Sequence, residues 1–124
     1  RLSDAIKMQH KKYDLLRTLF WINSMKIKKE CNAKYHNIVY LYQYNEPNIE
    51  KKSKQEVFSR ILSELKEKQG NNIMLIPIAG DMNFSSINLL MRTYNITNLP
   101  AILINEKIKI EDIKSVDEIN KFLS

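Results

Sequence analysis

Tyr94-Asn95-Ile96-Thr97-Asn98-Leu99-Pro100-Ala101-Ile102-Leu103-Ile104 passes from the end of an amphipathic segment, through a polar turn, to a proline and an aliphatic run. Pro100 has no N–H for a ladder, so it precedes the strand that Ala101–Ile104 forms. Downstream, Asn105-Glu106 makes a turn and Lys107-Ile108-Lys109-Ile110 alternates as a half-exposed strand. Val116 to Leu123 closes the chain as a helix capped by Ser115. Immediately upstream, Ile87, Leu90 and Met91 recur at helical spacing and predict a short helix from Ser86 to Tyr94.

Further towards the N-terminus, Ile73-Met74-Leu75-Ile76-Pro77-Ile78 reads as a strand whose pairing Pro77 limits. Before it, Val57, Phe58, Ile61, Leu62 and Leu65 predict a helix from Ser53 to Lys68, ended by Gly70-Asn71-Asn72. Ile38-Val39-Tyr40-Leu41-Tyr42, β-branched and aromatic throughout, reads as a strand buried on both faces and stopped by Asn45-Glu46-Pro47-Asn48. From Arg1 to about Lys29 a long amphipathic helix is expected, with Ser3 as N-cap and Leu2, Ile6, Tyr13, Leu16 and Phe20 on one face. Leu15, Leu19, Trp21 and Ile22 widen that stripe, so the helix either packs on its own domain, the default, or pairs with a second chain. The a/d-like set Leu2, Ile6, Gln9, Tyr13, Leu16 and Phe20 barely sustains three heptads and is interrupted by Gln9, a weak signal for a homodimer through this helix.

The order is α, β, α, β, α, β, β, α, and it resembles the thioredoxin-like fold family. In that family, as in Tyr94 to Ile104, an aromatic residue near a helix end is followed by an apolar residue, a proline, a small residue and an aliphatic strand. The resemblance implies an α/β fold with a mixed sheet of about four strands flanked by helices, and a cis peptide at Leu99-Pro100. It covers Asn37 to Ser124. Residues 35–124 are accordingly expected to form the thioredoxin-like domain, and residues 1–34 an extra N-terminal amphipathic helix.

The family's chemistry uses two cysteines two residues apart where the first strand enters the next helix, but this chain has one cysteine, Cys31. Two registers place the lost thiols. Tyr44-Asn45-Glu46-Pro47-Asn48 keeps the distance from the strand, with Asn45 and Asn48 at the thiol positions. Glu50-Lys51-Lys52-Ser53 keeps the helix length, with Ser53 opening the helix, and is slightly favoured. The acid that many thioredoxins bury beneath the dithiol would fall on Ile38–Tyr42, which contains none. The resemblance therefore implies a non-catalytic domain that binds a protein or extended peptide. Asn98, Leu99 and Pro100 would form one wall of its site, and Tyr44, Asn45, Pro47, Asn48, Glu50 and Ser53 the other. The alternative is a thiol–disulfide oxidoreductase-related protein using Cys31 alone or a degenerate site. Cys31 lies at a predicted helix C-terminus, where the dipole disfavours thiolate.

Composition bounds the rest. The 124 residues, 44% apolar, suit one domain. Twenty Lys and Arg against 14 acids give a net charge of +6, yet no Arg-rich or aromatic-interleaved stripe accompanies it, so nucleic acid is not the expected partner. One cysteine and two distant histidines make a metal site improbable, and no cofactor is expected. The chain opens on Arg1, so a membrane anchor upstream is entertained, with a membrane-anchored extracytoplasmic domain and a cytoplasmic one both open.

Overall fold

A computed structural model describes residues 1–123. Eight principal elements follow the expected order: α1 (Leu2–Cys31), β1 (His36–Tyr42), α2 (Ile49–Gln69), β2 (Ile73–Ala79), α3 (Ser85–Thr93), β3 (Ala101–Ile104), β4 (Ile108–Ile110) and α4 (Val116–Lys121). The strands make one mixed sheet in the order β2-β1-β3-β4. β1 and β2 run parallel with His36 opposite Ile73 and Tyr42 opposite Ala79, while β3 is antiparallel to both β1 and β4. The parallel pair requires a crossover, and α2 supplies it.

Alternation along the strands splits the core between two faces. Ile38, Tyr40, Ile102 and Ile104 pack with Phe58, Leu62 and Leu65 of α2 and with Val116 and Ile119 of α4. Val39, Leu41, Ile76, Ile78 and Leu103 pack on the other face with Trp21 of α1 and Ile87 of α3. Both faces of β1 are thus covered, which its unbroken apolar sequence anticipates.

Three expectations are corrected, two of them at helix ends, which follow local chemistry. α1 starts at Leu2 without a side-chain cap, so Ser3 is not its N-cap, and it ends at Asn32 in the left-handed conformation (φ 51°). α2 begins at Ile49 because Oδ1 of Asn48 accepts the N–H of Lys51 at 3.0 Å, a turn earlier than Ser53. The third concerns packing. The face of α1 on the sheet is Asp14, Thr18, Trp21 and Ser24, whereas Leu2, Ile6, Tyr13, Leu16 and Phe20 are exposed. Of the residues expected to widen the apolar stripe, only Trp21 is buried.

At the far end of the sheet, the chain turns between Ile104 and Lys107, whose N–H donates to the Ile104 carbonyl at 3.0 Å, and both central residues of that turn, Asn105 and Glu106, take positive φ. Its side chains tie α1 down: Trp21 Nε1 donates to Glu106 Oε2 at 2.9 Å and Lys28 Nζ to Asn105 Oδ1 at 2.8 Å. Ser24 Oγ donates to Asn37 Oδ1 at 2.7 Å, so a polar side chain on the docking face is satisfied by β1.

Ser115 caps α4 in a reciprocal box. Its Oγ accepts the Glu118 N–H at 3.1 Å, and Glu118 Oε1 accepts the Ser115 N–H at 3.2 Å. Ser115→Ala is expected to lower stability by about 1 kcal/mol, read as a lower urea midpoint at unchanged slope.

Candidate functional site

The carboxyl ends of β1 and β2 meet at Tyr42 and Ala79, and two loops leave from there. The first, 43–48, runs into α2; the second begins with Gly80-Asp81. Gly80 N–H donates to the Tyr42 carbonyl at 2.7 Å, and the Asp81 carboxylate accepts the N–H groups of Tyr44 and Asn45 at 2.8 and 2.9 Å. Asp81 thereby fixes the loop that opens the first register.

Tyr44 is half-buried, its ring tilted on His10 with centroids 4.4 Å apart. Tyr44, Asn45 and Pro47 line a hollow of about 510 Å³ with Glu46, Lys52 and Gln55. Asn48 is exposed and engaged in capping α2, and Glu50 and Ser53 are exposed residues of that helix outside the hollow. Since the helix opens at Asn48, the loop's end rather than Ser53 occupies the strand-to-helix junction, against the slightly favoured register.

On the second wall, Leu99–Pro100 is a cis peptide, with Pro100 buried, Leu99 half-buried and Asn98 exposed. Leu99 lies on Gly80: a Cβ added there would sit 2.8 Å from Leu99 Cδ1 and 3.0 Å from Met91 Sδ. Hydrogen is the side chain that this approach admits without displacing Leu99. The chain of contacts Leu99–Gly80–Asp81–Tyr44 connects the two walls, although Asn98 to Pro100 do not line the hollow itself. Among the described residues, no hydrogen bond engages the backbone of Asn98 or Leu99.

An acid does lie beneath this end of the sheet, and it comes from α1. Asp14 is fully buried, its Oδ1 accepting the Ala79 N–H at 3.1 Å and its Oδ2 lying 3.0 Å from His10 Nε2. The same His10 nitrogen is 3.1 Å from the Tyr42 hydroxyl, and Arg17 Nη1 is 3.9 Å from Oδ1. Burial raises the Asp14 carboxyl above its ordinary value, against the lowering effects of the Ala79 N–H, His10 and Arg17. Burial, reinforced by the Asp14 charge, pushes the Tyr42 hydroxyl up to about 12. Beside this cluster a second hollow of about 520 Å³ brings Arg17 together with Tyr42, Gln55 and Pro77.

The sequence did not expose Asp14, His10, Gly80 or Asp81 as members of this site. Asp14 reaches Ala79 across 65 positions, and a single sequence carries no trace of such a pairing. Cys31, exposed and unpaired, ends α1 near the start of β1, whereas Tyr42 and Tyr44 lie at that strand's other end. Seven strand residues separate the two levels, a length of about 20 Å. No group of three or more His, Cys, Asp or Glu among the described residues is placed to hold a metal ion.

No protein-family model and no curated protein matches the chain. Solved structures do. A chloroplastic thioredoxin z superposes with a TM-score of 0.56 at 16% identity, covering 82% of this chain and 85% of its own. Thioredoxin O2 from Arabidopsis thaliana, in its oxidised state, gives 0.52 at 13% identity, covering 82% and 83%. On this likeness to both structures, the chain is a protein of thioredoxin-like fold.

Proposed function

We propose that this domain is a binding module that takes an extended protein segment along the main chain of Asn98–Leu99, without thiol exchange. The observation that carries this reading is the unengaged backbone of those two residues, set beside the Asp81-anchored loop. A strand laid there gains main-chain hydrogen bonds, and the hollow at Tyr44 and Pro47 offers room for a side chain. Turnover of disulfides needs a second thiol to release the mixed disulfide, and Cys31 stands at the other end of the sheet.

Titrating the isotope-labelled chain with a reduced, carboxymethylated unfolded polypeptide is expected to shift the amide resonances of Asn98, Leu99, Tyr44 and Asn45. In parallel, insulin reduction by dithiothreitol is expected to proceed at the uncatalysed rate. Shifts confined to other surfaces, or reduction faster than with the Cys31→Ala variant, would overturn the proposal.

A further inference from the structure

Along α1 the residues Leu2, Ile6, Gln9, Tyr13, Leu16, Phe20, Asn23 and Ile27 succeed one another by alternating steps of four and three. That is the 3.5-residue repeat of a helix that faces another helix. None of it is used on the chain's own sheet: the six apolar members are 48–78% exposed, while Trp21 and three polar residues make the docking face. Midway along, the seam deepens into a groove of about 390 Å³ in which Leu16, Phe20, Asn23 and Ile27 face Tyr35 and Met74. The seam extends about 40 Å at 1.5 Å per residue.

The charges select the occupant. Residues 1–31 hold eight Lys and Arg against three acids, five of the six net positive charges of the chain. Of the positions flanking the seam, Lys12 and Lys26 stand on one side and Arg17 on the other, and none holds a carboxylate. Lys12 and Lys26 are exposed and make no ion pair among the described residues. A second copy of α1 would set these cations against each other: Lys12 meets Arg17 of the other helix in a parallel pair, and lysines meet lysines in an antiparallel one. A lipid surface would bury Gln9 and Asn23 among hydrocarbon without partners, whereas a helix can present a polar residue to each.

We propose that the exposed seam of α1 docks an amphipathic helix of another protein, one with an apolar stripe of the same repeat and carboxylates on its flanks. This surface is separate from the Asn98–Leu99 edge, so it stands or falls independently of the peptide-binding reading.

The probe is a synthetic helical peptide of about four heptads, with Leu and Ile on its seam, one Asn opposite Asn23, and Glu at every flanking position. Its control carries Lys at those positions. The acidic peptide is expected to bind the full chain about tenfold more tightly than the basic one at low salt, a gap that attraction of Glu to the exposed Lys12 and Lys26, set against their repulsion of Lys, can supply and that narrows as salt rises. Leu16→Glu combined with Phe20→Glu should abolish binding while leaving the urea midpoint unchanged, because both side chains are exposed in the free chain. Equal affinity for the two peptides, or none, overturns the proposal. So does a homodimer in sedimentation equilibrium that the double substitution dissolves, or binding to anionic phosphatidylglycerol vesicles in place of the peptide.

Discussion

Replacing Trp21 with alanine is expected to cost about 3–5 kcal/mol, a large share of the total stability of a domain this size. Trp21 is the one large apolar side chain of α1 that is fully buried, packed with Val39, Leu41, Ile78 and Leu103, with half-buried Met25 beside it. Its removal opens a cavity against the sheet. It also strips the donor from Glu106, so the helix loses an apolar anchor and a polar one together. Trp21→Phe keeps most of the volume and loses the indole N–H, which isolates the hydrogen bond at about 1–2 kcal/mol. Urea unfolding followed by circular dichroism measures both, since the chain has one tryptophan and its fluorescence disappears with either change. A loss below about 1 kcal/mol for Trp21→Ala would mean that α1 is held by something other than this residue.

The second large effect concerns Asp14. Leucine at this position leaves the buried Ala79 N–H without an acceptor and is expected to destabilise by about 1–3 kcal/mol. Asparagine keeps the acceptor and cannot ionise. Because the folded-state pKa of Asp14 is raised above 3.8 by burial, the folded chain favours the protonated carboxyl. That contribution is fully present below the unfolded value and is lost as pH rises through the higher folded one. Asp14→Asn should therefore match the wild type near pH 3 and overtake it progressively towards neutrality, as read from urea midpoints of both proteins at each pH. A gap that stays constant across that range would show that burial does not govern this carboxyl.

The strands were legible because their runs are continuous and end at turn residues: Ala101–Ile104 lies where the proline and the Asn105-Glu106 turn place it. The orientation of α1 was not. Periodicity reports where apolar residues stand on a helix, and the usual inference is that this stripe meets the core. Here the sheet instead satisfies Asp14 through Ala79 and Ser24 through Asn37, and it receives one indole. Those partners are far apart in sequence. The start of α2 was misplaced for a more local reason, because Asn48 and Ser53 are both competent caps and only the three-dimensional course of the loop chooses between them. For the candidate site, the segments Tyr44 to Pro47 and Leu99–Pro100 could be singled out in the sequence, whereas the groups that connect them, Gly80 and Asp81, look in sequence like any turn.

The successive N–H groups of Tyr44 and Asn45 form the kind of backbone nest that in other proteins captures a phosphate or a carboxylate from a ligand. In this chain the anion is built in, because Asp81 fills the nest from within the same molecule. The mouth of the site is thus electrostatically self-quenched and offers no vacancy to an anionic ligand. Under the proposed binding role, selectivity at this end of the sheet would rest on shape and on main-chain complementarity, a partner segment being sorted by how well it lies flat along Asn98–Leu99 rather than by its charge.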